Sequence, residues 1–467
     1  MTRRRSELLA QGGAAALRPA RGIGWPITVV VASILLALSA WVAWGPLPVQ
    51  SASIAFADTS LQQTAAGAET ADTAAAGGGA VAAADDAQPA AAQLAWPSTG
   101  AGAFVLRSLG DQPAASQVSV SLTHGEQKAY SIASVTKLVT ALRVLDRRPL
   151  QVGDQGPSIT MTQADEDLMK SYVEQNGSVE PVTVGASLSQ FQVLELSLLP
   201  SSNNYTTTLA TWAFGSVDDY LESTPAWLEA NGLGGMTIAD PTGIDERNQA
   251  TPEQIVHLGE LALANPVVRQ IVSTPTADIP GVGEIKNHNS LLGQQGVDGL
   301  KTGSLANVFN LAYSAHFTVD GVPFELIGAA LGSTEDHAKL QPEIGQLIQS
   351  IRQSIISRDV LVAGESAGTL TTSWGASTDA QSAATVHVLS WQGTPVTGRF
   401  VGASVQAGAR AGSQVGTVLI ERAGEQVGSA PLLISQSIDD PGLDWRIANI
   451  GLLPGPAWSM ITGQTGS

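Results

Sequence analysis

Ala133-Ser134-Val135-Thr136-Lys137-Leu138-Val139-Thr140-Ala141, opening an apolar run that continues to Leu145, is the stretch on which the reading of this chain turns. Val135, Leu138, Val139, Leu142 and Leu145 fall at helical spacing, and Asp146-Arg147-Arg148-Pro149 ends the pattern, so a helix is predicted from about Ser134 to Leu145. Residues three apart on a helix share a face, with Cβ atoms roughly 5–6 Å apart, which lets the Lys137 amine reach the Ser134 hydroxyl. The free N–H groups of a helix start also face developing negative charge there. A serine hydroxyl is a poor nucleophile without an adjacent base. An amine serves as that base only when its pKa falls, as burial and a second cation nearby bring about. Lys137 stands inside an apolar run, where an ordinary lysine is costly. Alone, the pair reads equally well as a helix cap and a solvated lysine.

Two further motifs follow in order. Ser201-Ser202-Asn203 comes after Pro200, where the apolar stretch Val193 to Leu199 breaks. A hydroxyl and a carboxamide there suit a proton relay and a grip on an amide, although an N-cap cluster looks the same in isolation. Lys301-Thr302-Gly303 ends a predicted strand, Val297 to Lys301. Gly303 lacks a side chain, so an extended peptide has room beside the strand, with Lys301 and Thr302 to hold its carboxylate. An edge-strand lysine before a turn is the plain alternative. Composition alone would give roughly half an SxxK, about two SxN and on the order of 0.05 KTG. Two of the chain's six lysines lie inside these motifs, and Lys301 is the candidate second cation for Lys137.

Length and composition bound the rest. At 467 residues the prior is two or three domains. With no cysteine there is no disulfide, thiolate nucleophile or Cys-based zinc site. A net charge of −18 argues against a nucleic-acid partner. The histidines, His124, His257, His288, His316, His337 and His387, are scattered without ligand spacing, so neither a metal nor a cofactor is expected.

Arg3, Arg4, Arg5, Arg18 and Arg21 precede an uncharged apolar run from Ile27 to Trp44, flanked by tryptophans. Eighteen helical residues nearly cover a bilayer's hydrocarbon core, and the arginines place the N-terminus inside. Ala55-Phe56-Ala57 also offers a leader-cleavage site, but it lies well beyond the apolar run, so a single-pass signal anchor is the favoured reading. Both readings export the bulk of the chain. The expected organisation is a cytoplasmic segment and anchor over 1–45, a disordered Ala/Gly-rich linker over 46–95, a motif-bearing domain over 96–357, a β-rich domain over 358–458 and a tail over 459–467. Strands are expected at 103–107, 118–122, 300–304, 309–317 and 324–331. A mostly helical pattern covers 188–263, and a helix at 335–356 closes the domain.

Taken together, the quoted motifs, with Leu199-Pro200 before the second and Val297-Asp298-Gly299-Leu300 before the third, resemble the low-molecular-mass penicillin-binding proteins. More narrowly, they resemble the serine D-alanyl-D-alanine carboxypeptidases. The similarity runs from about Trp96 to Ile356 and includes Gly215-Ser216, Asp240-Pro241-Thr242-Gly243 and Asn287 to Leu292. It implies an α+β fold of the β-lactamase/transpeptidase type, an antiparallel sheet with helices beside a helical subdomain, followed here by a small all-β C-terminal domain. It also implies that Ser134 is acylated, that Lys137 is its base, and that Ser201 and Asn203 line the opposite wall. Lys301 and Thr302 would bind the substrate carboxylate beside Gly303, and the N–H groups of Ser134 and Ser304 would form the oxyanion hole. The partners implied are peptidoglycan stem peptides, with β-lactams as covalent inhibitors and a membrane reached through the N-terminal helix, in cell-wall biogenesis and cell shape. Lys339 is the nearest counterpart to an arginine that the family often carries near the closing helix, and Asn204-Tyr205 replaces its usual Asp-Ala. A DD-endopeptidase, a β-lactamase or a non-catalytic envelope module are the alternatives on the same motifs.

Overall fold

The computed structural model describes residues 24–45, 47, 62–63, 92–402 and 407–453. Helix α1 (Gly24–Trp44) contains the 18-residue span Ile27–Trp44 with a mean hydropathy of 2.2, long and apolar enough to cross a bilayer. The basic segment before it, the tail 459–467 and most of the stretch read as a linker lie outside the described residues. Gln62 and Gln63, inside that stretch, pair in parallel with Thr397 and Gly398.

Strands from both ends of the motif-bearing region build its sheet. β1 (Ala101–Ser108) and β2 (Ser119–His124) come first, and β3 (Val297–Leu305), β4 (Val308–Val319) and β5 (Val322–Ser333) come nearly two hundred residues later. They assemble antiparallel in the order β3-β4-β5-β1-β2. β5 is central and reads Val-Pro-Phe-Glu-Leu-Ile-Gly-Ala-Ala-Leu, apolar with little alternation because both of its faces are covered. Ile327, Ala329 and Leu331 face one core, while Phe324, Leu326 and Ala330 face the other, as the two-residue strand period requires. Helix α9 (His337–Gln353) covers the second face through Leu340, Ile344, Leu347, Ile348 and Ile351, one stripe at helical spacing.

The intervening chain supplies the helices. These are α2 (Thr136–Arg147), α3 (Gln163–Glu174), α4 (Gln190–Leu198), α5 (Asn203–Phe214), α6 (Val217–Ala230), α7 (Pro252–Ala264) and α8 (Pro266–Val272). Helix α5 is buried along most of its length and packs against α2, α3, α4 and α6, forming the helical subdomain. Capping boxes at Thr162/Asp165, Ser189/Gln192 and Thr251/Gln254 start three of these helices, the last with Pro252 at its first position. Helix α7 lies on the first face of the sheet through Ile255, Val256, Leu258 and Ala262. The break expected at Pro200 and the loop 240–243 both fall between helices.

The C-terminal region is all-β apart from α10 (Gly442–Ala448). It comprises β6 (Ile355–Leu361), β7 (Ser366–Thr371), β8 (Ser377–Ser382), β9 (Val386–Trp391), β10 (Val396–Gly402), β11 (Gln414–Arg422) and β12 (Glu425–Ile434). β10-β11-β12-β8-β7 form one sheet and β6 pairs with β9, around a separate core that includes Leu370, Val388, Val418 and Leu432. One boundary differs from expectation. The closing helix ends at Gln353, capped at Ser354, and β6 straddles the junction placed at 357/358. Ile348, Ile351 and Ile355 continue the helical spacing across that end, which is why the helix read too long.

Candidate active site

Ser134 occupies a 3-10 turn, Ala133–Val135, immediately before α2, rather than the first turn of the α-helix itself. Ala133 holds φ +47, and the turn is pinned by Ile132 N donating to Asn248 O and Val135 N to Ile132 O. The three-residue spacing acts as expected: Lys137 Nζ lies 2.7 Å from Ser134 Oγ. Lys137 is fully buried, and Nζ also lies 2.7 Å from Asn203 Oδ1 and 2.9 Å from Thr242 O. A neutral amine has two N–H groups, which match those two acceptors and leave its lone pair for the Ser134 O–H. Burial, reinforced by the positive charge of Lys301 and opposed by Asp240, holds Lys137 well below the ordinary lysine range.

Thr242 was not among the residues read from sequence as part of the site. Its carbonyl is delivered by the loop 240–243, folded around one carboxylate. Asp240 Oδ1 accepts the Thr242 and Gly243 N–H groups and Oδ2 accepts that of Asp245. Asn248 ties this loop to α2 through Thr136 Oγ1. Gly243, at φ +87, presses its Cα against the turn holding the nucleophile, and a Cβ there would overlap Ala133 O. Gly243→Ala is therefore expected to lower stability by at least about 1–3 kcal/mol from backbone strain alone. It should slow penicillin acylation as well, read by thermal unfolding alongside an acylation time course.

The second motif forms the neighbouring wall. Asn203 begins α5 and donates its N–H to Ser178 O, while its side chain holds Lys137. Ser201 adopts φ +64, and its hydroxyl is buried with no hydrogen-bond partner among the described residues. A buried hydroxyl without a protein partner is costly. The departures at 204 and 205 have a structural reason. Asn204 accepts from Ser202 Oγ and Glu180 N and donates to Glu180 O, and the Tyr205 hydroxyl donates to Pro181 O. Together they staple the segment 180–181 to α5.

β3 is an edge strand carrying the third motif, and it passes directly beside the Ser134 turn. A Cβ at Gly303 would stand 2.7 Å from Ile132 O and 3.3 Å from Ser134 N, so glycine is needed for this approach, whatever else lies alongside the strand. Lys301 is 2% exposed, donates to Thr302 O at 3.1 Å, and is lowered by burial to about 7. Upstream, Asp298 anchors the strand by accepting from Ser314 Oγ and pairing with His316 Nδ1, both at 2.6 Å, on β4.

Lys339 does not reach this strand. It is half exposed and paired with Glu335 at 3.0 Å. The α9 side chain that does reach it is His337, whose Nε2 lies 3.1 Å from Ser304 Oγ. His288 joins from the loop before β3, its N–H on Leu199 O and its carbonyl accepting from Gln341 Nε2. Burial and then Lys301 lower both histidines, His288 to about 4, so neither adds a cation at neutral pH. The sequence resemblance reached His288 only within Asn287 to Leu292, and nothing in it pointed to His337.

A cleft of about 340 Å³ opens on Ser134, Asn203 and Ser304. Its far wall is the turn after α3, Gln175 to Ser178, and its rim is Leu305 and Ala306 of the β3–β4 hairpin. The α3 turn was not anticipated either.

The comparisons return the family that the three motifs resemble. Residues 119–315 match the model of the D-alanyl-D-alanine carboxypeptidase family. Curated relatives include the D-alanyl-D-alanine endopeptidase of Pseudomonas aeruginosa, 29% identical over 145 residues, and that of Escherichia coli, 28% identical over 144 residues. Each match covers 31% of this chain, and the chain spans 43% of the length of either relative. Among solved structures, penicillin binding protein 5 from Haemophilus influenzae aligns with 19% identity over 74% of this chain and 99% of its own, at a TM-score of 0.48. The Streptomyces K15 DD-transpeptidase aligns with 22% identity over 56% of this chain and 98% of its own, at a TM-score of 0.45.

Proposed function

We propose that this chain is an exported serine-type D-Ala-D-Ala carboxypeptidase that trims peptidoglycan stem peptides through an acyl-enzyme, tethered to the membrane by α1. The observation that carries the reading is the fully buried Lys137 amine 2.7 Å from the Ser134 hydroxyl, with two acceptors holding its other protons. Neutral Lys137 takes the Ser134 proton as Oγ attacks the penultimate D-Ala carbonyl. The oxyanion is met by the backbone N–H groups of Ser134 and Ser304, a pairing supported by the close approach of β3 to the turn, where a Cβ at Gly303 would stand 3.3 Å from Ser134 N. The proton returns through the Ser201 hydroxyl to the nitrogen of the departing D-Ala, and water then repeats the sequence on the acyl ester. Lys301 and Thr302 receive the terminal carboxylate, and Asn203 and Gly303 flank the peptide.

Carboxypeptidase is preferred because the leaving side is tight. Lys301, Thr302 and Ser201 are all 5% exposed or less, which suits a methyl side chain on the departing residue. The names of the curated relatives favour a second reading, a DD-endopeptidase that cuts cross-links. Incubation with a D-Ala-D-Ala-terminated pentapeptide and with a cross-linked dimer separates the two: D-Ala released from the former with the dimer intact supports the first, and the converse supports the second. Tethering is supported at the other end of the chain. Arg446 of α10 donates to Gly45 O at the exit of the span, and Leu443, Ile447 and Ile450 are exposed beside α1.

The two lysines predict opposite limbs of a pH profile. Acylation requires neutral Lys137, so kcat should fall as acid protonates it, below a pKa well under the ordinary lysine value. Carboxylate capture requires charged Lys301, so KM should rise as pH climbs past about 7. Separate pH profiles of kcat and KM check both signs.

A further inference from the structure

Under the carboxypeptidase reading, on which this inference rests, Lys301 must face the nucleophile, and the register of β3 decides that. Lys301 stands opposite Ala312 of β4, whose side chain lies in the core shared with α2. Thr302 stands opposite Leu311, in the core beneath α9. The two residues thus flank the strand's edge from opposite faces, and a shift of one residue would exchange them.

Two registers meet in β3. From the two-residue turn Ala306-Asn307, the pairs Leu305–Val308 to Gly299–Ser314 follow without a break. At the other end Val297 stands opposite Ala315, and His316 N–H donates to Gly296 O. Asp298 is the extra residue between them, a β-bulge. Residues on the hairpin side of the bulge keep the first register, and those beyond it keep the second. A bulge displaced past Thr302 toward the turn would put Lys301 on the α9 face and Thr302 on the nucleophile's.

The side chain of Asp298 holds the bulge where it is. Its Oδ1 accepts from Ser314 Oγ and its Oδ2 from His316 Nδ1, both at 2.6 Å, while Asn289 Nδ2 holds the next carbonyl, Gly299 O, at 3.0 Å. His316 is gripped in turn, with Nε2 3.3 Å from Glu325 Oε1. Carboxylates only accept, so both ring nitrogens carry protons and His316 is an imidazolium. Its hydrogen bonds to Asp298 and Glu325 raise its pKa to about 9. Glu325 of β5 is balanced by Arg107 of β1 and Arg269 of α8, and Arg107 also pairs with Glu260 of α7. His316 stands directly opposite Glu325, and Glu325 opposite Arg107. One row of alternating charge therefore ties the bulge on the edge strand to the middle of the sheet. Asp298, His316 and Glu325 lie outside the lining of the cleft.

We infer that Asp298 and His316 are positioning residues for substrate binding, holding the bulge so that Lys301 and not Thr302 faces the nucleophile. A chain with the bulge displaced does not grip the carboxylate, so KM rises by the inverse of the fraction in register, whereas saturating substrate restores that register and kcat is kept. Asp298→Ala in the full chain is expected to raise KM for D-Ala release by at least about fivefold with kcat within about twofold. Asp298→Asn is expected to bring KM back near the wild-type value. Its Oδ1 still accepts from Ser314, and its amide donates to a neutral His316 whose Nε2–H stays on Glu325. A purely stabilising role would lower the unfolding temperature of Asp298→Ala and leave KM unmoved, which overturns the inference. Equal rises in KM for the Ala and Asn variants also overturn it, because they would assign the effect to the Asp298 charge acting on Lys301. Should Asp298→Ala fail to fold, the same split is read in His316→Val, where Glu325 keeps its arginines and Asp298 keeps Ser314. An unmoved KM there counts against the inference. Absence of D-Ala release by the wild-type chain overturns the carboxypeptidase reading. The bulge is then judged by the penicillin concentration that gives half-maximal acylation, which Asp298→Ala is expected to raise by the same factor and which, if unchanged, overturns the inference too.

Discussion

Lys137→Arg is expected to lower the rate of penicillin acylation and of D-Ala release by about 10²–10⁴-fold, the range over which a positioned general base contributes. Arginine keeps a positive charge and several donors, so it preserves whatever a cation supplies at this position. It cannot give up its proton in the working pH range, so it removes the base. The site amplifies the contrast. Lys137 is sealed from solvent, and the positive charge of Lys301 already disfavours a second cation there. A guanidinium would be both oversized and permanently charged in a space arranged for a neutral amine. Lys137→Met, of similar length and no charge, separates the two effects: its fold should be kept and its acylation lost just as fully. Retained acylation in either variant would mean that the proton leaves Ser134 by another route.

Ser134→Ala is expected to remove turnover altogether, at least about four orders of magnitude in kcat/KM, because loss of a nucleophile eliminates the covalent route instead of slowing it. The fold should be nearly indifferent. Among the described residues, the only side-chain partner of Ser134 is Lys137, whose amine keeps Asn203 Oδ1 and Thr242 O, and the turn is built from backbone hydrogen bonds of Ile132 and Val135. Unfolding temperature should therefore change by no more than a few degrees while activity disappears, and that split distinguishes a reacting hydroxyl from a structural cap. A structural serine would show the reverse, with loss of stability and residual turnover.

The legibility of this chain divides along a physical line. Side-chain spacing on one element was readable: Ser134 and Lys137 meet because three residues on a helical path share a face, and the slightly earlier start of that path in a 3-10 turn does not disturb it. Contacts made by backbone atoms from distant segments were not. Thr242 serves the site through its carbonyl, which any residue carries, and Gly243 matters for the volume it leaves empty. Helix α3 escaped notice because Tyr172 is its one buried residue, so it shows little of the apolar periodicity by which a helix is recognised. Lys339 was singled out for its charge, whereas the direction of the first turn of α9 turns His337 toward β3 and leaves Lys339 to pair with Glu335. The central strands were recognised by composition but read short: β4 and β5 each run twelve residues, and the hairpin residues Thr318, Val319, Val322 and Pro323 that join them were left outside the expected spans.

The account depends on Ser134 being the atom that bonds to substrate, and peptide mapping by mass spectrometry after exposure of the full chain to penicillin tests this most directly. The account predicts a single acyl adduct on the peptide containing Ser134, absent from Ser134→Ala and accumulating far more slowly in Lys137→Arg. An adduct on any other residue, or none on the folded wild-type chain, would contradict it.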